Sequence, residues 1–485
     1  MGDTLNRRLL RAKLVYAAEE TCEVRWGDGR TMRYQGWNFE KTLLVEERAN
    51  LARQGELVDV RLAVESDRAA NVERDARVVL KKDWNVLDRE VPSQVYRVRR
   101  YGGTTTFRVA FHLDLGPGVR QRVGVRYDNP AASGAAYETD LEVEGAGLGY
   151  KVETPFYAVE TDARSGQLRT VTGKVAEEGG TALHRLAPAG RTQPGNVVIF
   201  AVEEGGACRA AAVTAADWDR PEVVEETRGS IFFSQTRRGR LVAPNADSRR
   251  AWPELEIAYR FFAQLPYFLV YSRLTFPEDT GVFGVYNDVV LVDRAPFSHY
   301  TFRPVSPGLP LTDVEEMGHI LVDPAWTSDL PAGLAFSGFL PYDLPWHAFI
   351  NMHPLREHAF TGIQLRSAMH SPGGEPVTYR PATYLLREQA SLQWFRAPIY
   401  VETRDRRENV VVVPAGTVYE DLHALSPSGW DQAWGQRTDA LGRQLMNPLE
   451  VSAHPVYLGE PAPAEEFEVL PFGRRADAYL RAGVR

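Results

Sequence analysis

The sequence contains 485 residues, of which 44% are hydrophobic, enough for two or three domains that each bury a full core. Its 64 acidic and 56 basic residues give a net charge of -8, and no run of Lys or Arg forms the patch that phosphate backbones require, so we expect no nucleic acid partner. Two cysteines, Cys22 and Cys208, are too few for a disulfide framework or a metal cluster, and we expect both to be buried thiols.

The amino-terminal residues and all later segments lack an apolar run long enough for a secretory signal or a membrane-spanning helix. We therefore expect no membrane partner. The predicted location is cytoplasmic, or secreted if a signal peptide has been removed.

Residues 1–150 are predicted to form an amino-terminal β-rich domain with the outline of a β-sandwich. The Gly-Asp-Gly at 27–29, between CEVRW and RTMRY, is a hairpin signal. The stretch 38–55 has the spacing of an amphipathic helix that ends at the C-cap type glycine Gly55.

Residues 151–415 carry nine or more long, aromatic-rich strand patterns without helical patterns between them. Parallel sheets would need crossover helices, so this region predicts antiparallel sheets stacked face to face. Residues 416–485 are predicted to be a carboxy-terminal extension with a short helix and strand, the helix falling within 430–445. The predicted fold class is all-β.

The segment ETPFYAVETDARSGQLRTV, from Glu153 to Val171, resembles the strand, glycine-containing turn and strand that open the supersandwich domain of galactose-mutarotase-like proteins. The paired strand patterns LEIAYRFFAQL and PYFLVYSRLTF resemble central strands of the same domain. Such domains occur in aldose epimerases, polysaccharide lyases and α-mannosidase-like glycoside hydrolases, so the resemblance implies a carbohydrate substrate. No catalytic residue is carried over by motif, because the quoted segments contain no catalytic signature.

The candidate site starts from the stretch WHAFINMH, from Trp346 to His353. In an extended conformation its side chains alternate between two faces. The face predicted to be core carries Trp346, Ala348, Ile350 and Met352. The face predicted to line a cleft carries His347, Phe349, Asn351 and His353.

The segment from Gly362 to His370 repeats this alternation. Its apolar positions are Ile363, Leu365 and Met369, and its polar positions are Gln364, Arg366 and His370. If the two segments are adjacent strands, they share one polar wall, which we predict to be the floor of a site. Histidines concentrate near this wall: His299, His319, His347, His353, His358 and His370.

One predicted chemistry is β-elimination from a uronic-acid glycan, which needs a base, a group that stabilises the carboxylate dianion, and an acid for the leaving oxygen. Residues of the right types for these roles are His347, His353, Tyr300, Asn351 and Arg366. Residues expected to contact the sugar are His299, His370, Gln364, Trp346 and Trp394, with Trp326 and Phe339 as further aromatic candidates.

A second hypothesis is a divalent metal, zinc or manganese, bound by His347, His353 and His358 with Glu357 or His370. A third is glycoside hydrolysis by two carboxylates. The carboxylates considered are Glu254 and Glu256, which share a strand face with Arg260, together with Asp288, Asp293 and Glu402. The alternative to any enzyme is a non-catalytic glycan-binding module on the same sandwich.

Overall fold

The computed structural model describes residues 13–15, 19–21, 23–25, 31–33, 36–81, 88–177, 180–185, 192–204, 206–244, 251–301, 312–313, 334–336, 346–351, 358–379, 382–387, 391–401, 409–428 and 436–453. Strands dominate these residues and their helices are short, so the predicted all-β class is confirmed. The chain divides into two compact units. Unit 1 comprises 1–139, 227–232 and 444–485, and unit 2 comprises 140–226 and 233–443.

The strands of unit 1 come mostly from the first part of the chain. They are β1 Lys13–Val15, β2 Glu19–Thr21, β3 Glu23–Arg25, β4 Thr31–Arg33, β5 Phe39–Glu46, β6 Arg53–Glu65, β7 Arg77–Leu80, β8 Arg89–Val91, β9 Ser93–Tyr101, β10 Thr104–Leu115 and β11 Arg120–Tyr127. A 3-10 turn, Ser66–Ala69, and the single-turn helix α1, Val72–Asp75, follow β6.

The remaining strands belong to unit 2, except the last. They are β12 Glu142–Ala146, β13 Gly149–Glu153, β14 Tyr157–Thr161, β15 Leu168–Glu177, β16 Gly180–Arg185, β17 Gly195–Glu204, β18 Ala207–Thr214, β19 Asp219–Thr227, β20 Phe232–Arg240, β21 Glu254–Phe262, β22 Phe268–Thr275, β23 Thr280–Asp293, β24 His299–Thr301, β25 Thr312–Asp313, β26 Leu334–Phe336, β27 Trp346–Asn351, β28 His358–His370, β29 Val377–Tyr379, β30 Ala382–Arg387, β31 Ser391–Tyr400, β32 Val411–Val413 and β33 Val418–Ser428. A 3-10 turn, Ala215–Asp217, follows β18, and helix α2, Gln436–Met446, precedes β34, Glu450–Ala453, which returns to unit 1.

Unit 1 is a sandwich whose described sheets have the strand orders β1-β6-β10-β9 and β2-β5-β11-β7-β8, with β34 paired to β5. One apolar core joins the facing sides, and Leu43, Val60, Phe107 and Val125 within it are fully buried. The predicted hairpin is confirmed by the antiparallel pairing of β3 with β4.

The predicted helix over 38–55 is wrong, because these residues form β5 and the start of β6. Leu43 and Val45 alternate with polar residues and enter the core, while β11 pairs with the whole of β5. Asn50 between the strands has φ 56°, which breaks a helix. Tertiary pairing overrides a local pattern that fits both periods.

Unit 2 contains three described sheets built mainly from antiparallel pairs, as predicted for 151–415. The five-stranded sheet runs β12-β13-β14-β15-β16. The seven-stranded sheet runs β18-β17-β23-β31-β30-β26 with β32 on β23, and the ten-stranded sheet runs β19-β20-β21-β22-β33-β28-β27-β24-β25 with β29 on β28. A common apolar core includes Val285, Trp394, Ile257 and Leu425, so the two large sheets stack face to face.

The chain division differs from the predicted boundaries at 150 and 415. Strand β33 is a central strand of the ten-stranded sheet, and residues 436–443 of α2 also belong to unit 2. The residues after 443 that the structure describes belong to unit 1 through β34. The predicted helix is present as α2, although residues 430–435 lie outside the described part of the chain.

Cys208 is exposed on β18, at the edge of the seven-stranded sheet, so the prediction of a buried thiol is wrong there. An edge strand pairs on one side only, which leaves its side chains less covered. Cys22 lies outside the described residues. No helix in the described ranges has the length and apolar character needed to cross a bilayer.

Candidate functional site

Strands β27 and β28 are neighbours, as the sequence predicts, and they pair in regular antiparallel register from Trp346 opposite Ile363 to Asn351 opposite His358. Phe349, predicted to line a cleft beside His347, instead enters the core between the two large sheets. We call that side of the ten-stranded sheet its inner face and the opposite side its outer face. The histidine side of β27 is the inner face.

Both faces of β27 are buried, so the expected solvated cleft is not at His347. That side chain is 2% exposed, and its ring meets the Trp394 ring edge-to-face with centroids 4.6 Å apart. On the outer face, Trp346 is 1% exposed, with its Nε1 3.4 Å from Asp439 Oδ1 of α2. Trp346 and Trp394 are core side chains, and neither offers a ring face to a sugar.

The polar wall predicted for β28 is split by a β-bulge between Gln364 and Arg366. Gln364 pairs with His423 and Ser367 pairs with Asp421, and the side chains of Ser367 and Asp421 hydrogen-bond at 2.6 Å. A bulge inserts one residue and reverses the alternation beyond it. Gln364 therefore stays on the inner face with His347, whereas Arg366 and His370 lie on the outer face.

Some of the remaining predicted site residues lie within the described part of the chain and others lie outside it. His299 pairs with Ile350 in β24 and its Nδ1 is 2.8 Å from Ser298 Oγ. Tyr300 pairs through its backbone with Phe349. The predicted residues that lie outside the described part are His353, Glu357, His319, Trp326, Phe339 and Glu402. Their roles stay predictions.

The proposed histidine metal set is not assembled in the described residues. His347 and His358 share the inner face, but they stand opposite Gly362 and Asn351, four residues apart along β27. Four residues of strand span about 13 Å, too far for one ion. His358 is 1% exposed and packs 5.5 Å from Phe297. No group of three or more His, Cys, Asp or Glu in the described ranges is arranged around a common metal position.

An interior charge cluster, absent from the sequence prediction as a group, bridges the two large sheets. Its members are Asp288 on β23, Arg396 on β31, Asp421 and His423 on β33, and Ser367 on β28. Asp288 Oδ2 accepts a hydrogen bond from Arg396 Nη1 at 2.5 Å, and Asp288 Oδ1 lies 2.6 Å from His423 Nε2. His423 Nδ1 is 2.7 Å from Asp421 Oδ2. All five side chains are buried.

Irregular backbone in β23 aims Asp288 into this cluster. The pairing of β23 with β31 shifts register on both sides of Asn287, and Asp288 has φ 53°. That left-handed conformation is uncommon for residues other than Gly, Asn and Asp. The only sequence signal for the cluster was the spacing Asp421-Leu422-His423, which puts a carboxylate and an imidazole on one face of a strand.

The pKa values of the two interior imidazoles, His423 and His347, are shifted in opposite directions. Burial alone would lower the pKa of His423, but the charges and hydrogen bonds of Asp288 and Asp421 outweigh it and the pKa is raised. Burial, and then the charges of Arg396 and His423, hold the pKa of His347 well below its ordinary value. His347 is thus neutral, and its buried Nε2 makes no hydrogen bond within the described structure. A neutral, enclosed imidazole is badly placed to meet a polymer substrate.

Gly362 is required by the position of the His347 ring. A Cβ added at Gly362 would lie 2.9 Å from both Cε1 and Nε2 of His347, closer than real contacts allow. We expect Gly362→Ala to destabilise the protein by about 1–3 kcal/mol through overpacking, measured by denaturant unfolding. Gly374→Ala is the control, because its Cβ would meet Ser371 at an ordinary 3.6 Å. Equal stabilities of the two variants would contradict the packing of His347.

Ile350 tests the other face of β27. Its side chain is fully buried, as the strand alternation predicts, while Met352 lies outside the described residues. Ile350→Ala should cost about 2–5 kcal/mol of unfolding free energy through lost burial and a cavity. The measurement is again denaturant unfolding, and a loss below about 1 kcal/mol would show that the outer face is loosely packed.

The outer face of the same sheet carries the pair of carboxylates that best fits an active site. Glu256 on β21 pairs with Arg273 on β22, and Arg273 pairs with Glu420 on β33. We call these three residues the outer carboxylate row. His370 on β28 extends it, with its Nε2 3.2 Å from Glu420 Oε2. Four neighbouring strands thus contribute ionisable groups to one line.

Each carboxylate of the row has donors around it. Glu420 Oε1 accepts a hydrogen bond from the Tyr271 hydroxyl at 3.3 Å and lies 3.9 Å from Arg273 Nε. Arg238 Nη2 donates to Glu256 Oε2 at 3.1 Å. Both carboxylates are buried, Glu256 at 5% and Glu420 at 1% exposure, and the exposed neighbour of Glu256 is Arg238, whose side chain is 45% exposed.

The protonation tendencies of the row follow from burial. Burial raises the pKa of Glu256, although Arg238 and Arg273 oppose the shift. Burial, followed by the negative charges of Glu420 and Glu256, raises the pKa of Tyr271 well above 10, so its hydroxyl stays a donor. A carboxyl group with a raised pKa beside a second carboxylate is the arrangement that acid-base chemistry uses.

Arg366 on β28 is a cation on the same outer face, close in register to this row. It is partly buried, and within the described structure its guanidinium has neither a hydrogen bond nor an ion pair. Arg366 and His370 lie on the same face, two positions on either side of Ala368. A guanidinium without a protein partner can accept an anionic group from a ligand.

No family model matches this sequence, and no curated protein matches it. Among solved structures, the chain is similar to a glycosyl hydrolase family 38 protein of Enterococcus faecalis (10% identity, TM-score 0.45, covering 85% of this chain and 47% of that one) and to an α-mannosidase of the same organism (11%, 0.47, 87% and 47%). It is also similar to an α-galactosidase of Lactobacillus brevis, at 10% identity and TM-score 0.30, over 64% of this chain and 40% of that one.

The chain spans 47% of the length of the first two structures. TM-scores below 0.5 at 10–11% identity establish neither a shared fold family nor a shared activity. The all-β architecture therefore rests on the sheets of this chain, and its function has to be argued from its own residues.

Proposed function

We propose that unit 2 is a glycoside hydrolase-like, carbohydrate-active domain whose active site is the outer carboxylate row. The observation that carries this proposal is the pair Glu256 and Glu420, on one sheet face and separated only by Arg273. Two strand spacings place their backbones about 10 Å apart. Two carboxyl groups about 6.5–9.5 Å apart can hold a glycosidic bond and a water molecule between them, the geometry of an inverting hydrolase.

In this proposal Glu256 is the general acid, because its raised pKa keeps a proton available for the leaving oxygen. Glu420 is the base that orients and deprotonates water, and Tyr271 fixes one of its oxygens. Arg273 lies between them in register, with its Nε 3.9 Å from Glu420 Oε1. Protonation of the leaving group and attack by water then occur on opposite sides of the sugar carbon, which inverts its configuration.

We further propose that the sandwich of unit 2 is the galactose-mutarotase-like supersandwich that the segment from Glu153 to Val171 resembles. That segment forms β14, a turn and the start of β15. The turn is closed by Asp162, whose Oδ1 accepts the backbone N–H groups of Arg164 and Ser165. The strand, turn and strand of the resemblance are thus present, while the superfamily assignment is a proposal.

A second candidate, β-elimination from a uronic-acid glycan, is favoured by Arg366. Its guanidinium, which has no partner among the described residues, could neutralise a uronate carboxylate, and His370 on the same face could take part in proton transfer. This version moves the predicted lyase chemistry from the inner face to the outer one. His347 has no direct part in it, because that ring is enclosed in the core.

The test is a screen of neutral glycosides and uronate-containing polysaccharides with two readouts. New reducing ends without ultraviolet absorbance indicate hydrolysis, whereas absorbance of an unsaturated product indicates elimination. Proton NMR of the first-formed anomer then reports inversion or retention. Binding without turnover on all substrates, seen by calorimetry, would contradict the enzyme and favour a glycan-binding module.

A further inference from the structure

A corner of unit 1 brings three chain segments together around two acidic side chains. Asn38 donates its backbone N–H to Asp128 O at 3.1 Å and its side-chain Nδ2 to Asp128 Oδ2 at 2.8 Å. The backbone N–H of Asn129 donates to Asp75 Oδ2 at 3.3 Å. Trp37 Nε1 donates to Asp75 O at 2.8 Å. The segments at 37–38, 75 and 128–129 are therefore tied to one another directly.

Two oxygens at this corner are buried and receive no hydrogen bond within the described structure. They are Asp75 Oδ1 and Asn38 Oδ1. The amide of Asn38 cannot simply be reversed, because its oxygen would then face the carboxylate of Asp128. Buried acceptors without a donor are costly, and each calls for a partner that supplies positive charge or a proton.

We propose that Asp75, Asp128 and Asn38 supply oxygens to a site for a hard divalent cation, calcium by preference. Two carboxylates and one amide oxygen are the ligands that calcium takes, and no nitrogen or sulfur atom that zinc prefers is among them. Only two of these three ligands are acidic, so the set is not one of the groups of three or more His, Cys, Asp or Glu considered above. Water would complete the coordination sphere.

The charge at the corner supports a cation. Asp75 is 3% exposed, and its pKa is raised first by burial and also by the nearby charge of Asp128. Arg74 acts in the opposite direction, but its charge does not cancel these effects. A dication between the two carboxylates would remove their repulsion and give the buried Asp75 Oδ1 a partner.

The site also has a structural purpose. Asp75 ends α1, between β6 and β7, and Asp128 follows directly after β11. A cation held by both would fasten the connection into β7 to the end of its sheet neighbour β11. Binding to the folded state alone raises stability by mass action, so the effect should depend on calcium concentration.

The experiment is thermal unfolding of the full chain in calcium chloride, magnesium chloride and sodium chloride at equal ionic strength, after treatment with a chelator. Calcium should raise the Tm associated with unit 1 by roughly 5–10 °C at about 100 times its Kd. Magnesium should act more weakly, because it demands a smaller, near-octahedral site. Isothermal titration with calcium chloride should show one site.

Variants decide whether the shift belongs to this corner. Asp75→Asn and Asn38→Leu should each lose most of the calcium-dependent rise, whereas Asp67→Asn, at an exposed position of the same unit, should keep it. If Asp75→Asn does not fold, Asn38→Leu decides alone. No calcium-dependent shift in the wild type would overturn the proposal, because a protonated Asp75 would then suffice. A shift that survives in Asn38→Leu would also overturn it, because calcium would then bind without this set of oxygens.

Discussion

Glu420→Gln is expected to lower kcat for glycoside hydrolysis by about 10²–10⁴-fold, the usual contribution of a positioned acid or base. Glutamine keeps the shape of the side chain and still accepts the hydrogen bond from Tyr271, but it removes a buried charge beside Arg273 and His370, so some stability is lost as well. It cannot take a proton from water. The measurement is steady-state kinetics on the best substrate of the screen, with thermal unfolding to verify folding.

Glu256→Gln should have a similar effect, but one that depends on the leaving group. A general acid matters least when the departing alcohol is already acidic, so an activated aryl glycoside should restore much of the lost rate. With wild-type enzyme, the rate should fall as pH rises through the raised pKa of Glu256, and this limb should vanish in the variant. A rate that falls equally for all leaving groups would contradict the assignment of Glu256 as the acid.

The matched control for both variants is Glu222→Gln, on the exposed edge strand β19 of the same sheet. It removes the same charge at a distance from the row and should keep full activity. Activity retained in all three variants would contradict the proposed site, while loss in all three would indicate a general effect of charge on the sheet.

Alternation along strands was predictable from the sequence, and register irregularities were not. The pairing of β27 with β28 and the opposite faces of His347 and Ile350 follow from a period of two. The bulge at Gln364 to Arg366 moves Arg366 to the other face, and nothing in the letters QLRS marks it. A single inserted residue therefore separated the predicted wall into an interior part and an outer part.

The burial of polar side chains also differs from the sequence prediction. A stretch with two imidazoles and an amide suggested a cleft, because polar groups are costly to bury. In the structure His347 is enclosed by Trp394 and carries no charge, which reduces that cost. The charged partners that the core does contain come from segments far apart in sequence, such as Asp288 and Arg396, and only the folded sheets bring them together.

Glu256 was among the carboxylates considered from the sequence, whereas Glu420 was not. Glu256 lies on a strand whose alternation was readable, opposite the core residues Leu255 and Ile257. Glu420 lies in a segment predicted to be an extension beyond the main sandwich, yet β33 occupies the centre of the ten-stranded sheet. Its partnership with Arg273 depends on a pairing across about 150 residues of chain, which strand patterns alone do not specify.

The largest expected effect on stability comes from the interior charge cluster. Asp288→Asn removes the charge that pairs with both Arg396 and His423, at 2.5 and 2.6 Å, and leaves those groups buried without it. Breaking a buried ion pair by removing one partner costs about 3–5 kcal/mol. Denaturant unfolding measures this loss, with Asp293→Asn, near the end of the same strand and only partly buried, as the control.

The two interior histidines should make the stability of unit 2 depend on pH in opposite ways. The pKa of His423 is raised by Asp288 and Asp421 despite burial, so its contribution is full below its unfolded pKa of about 6.5 and is lost as pH rises through the folded value. The pKa of His347 is lowered by burial, so its contribution is full above about 6.5 and is lost as pH falls toward the folded value.

Wild-type stability, followed by denaturant unfolding from mildly acidic to mildly alkaline pH, should therefore contain a limb on each side of about pH 6.5. Asp288→Asn should flatten the alkaline limb, because His423 loses the carboxylate that raises its pKa most directly. His347→Leu should flatten the acid limb, because no group is then forced to stay neutral when the unfolded chain takes up a proton. If both variants kept the wild-type profile and differed only by a constant, neither imidazole would be titrating in the way the interior cluster requires.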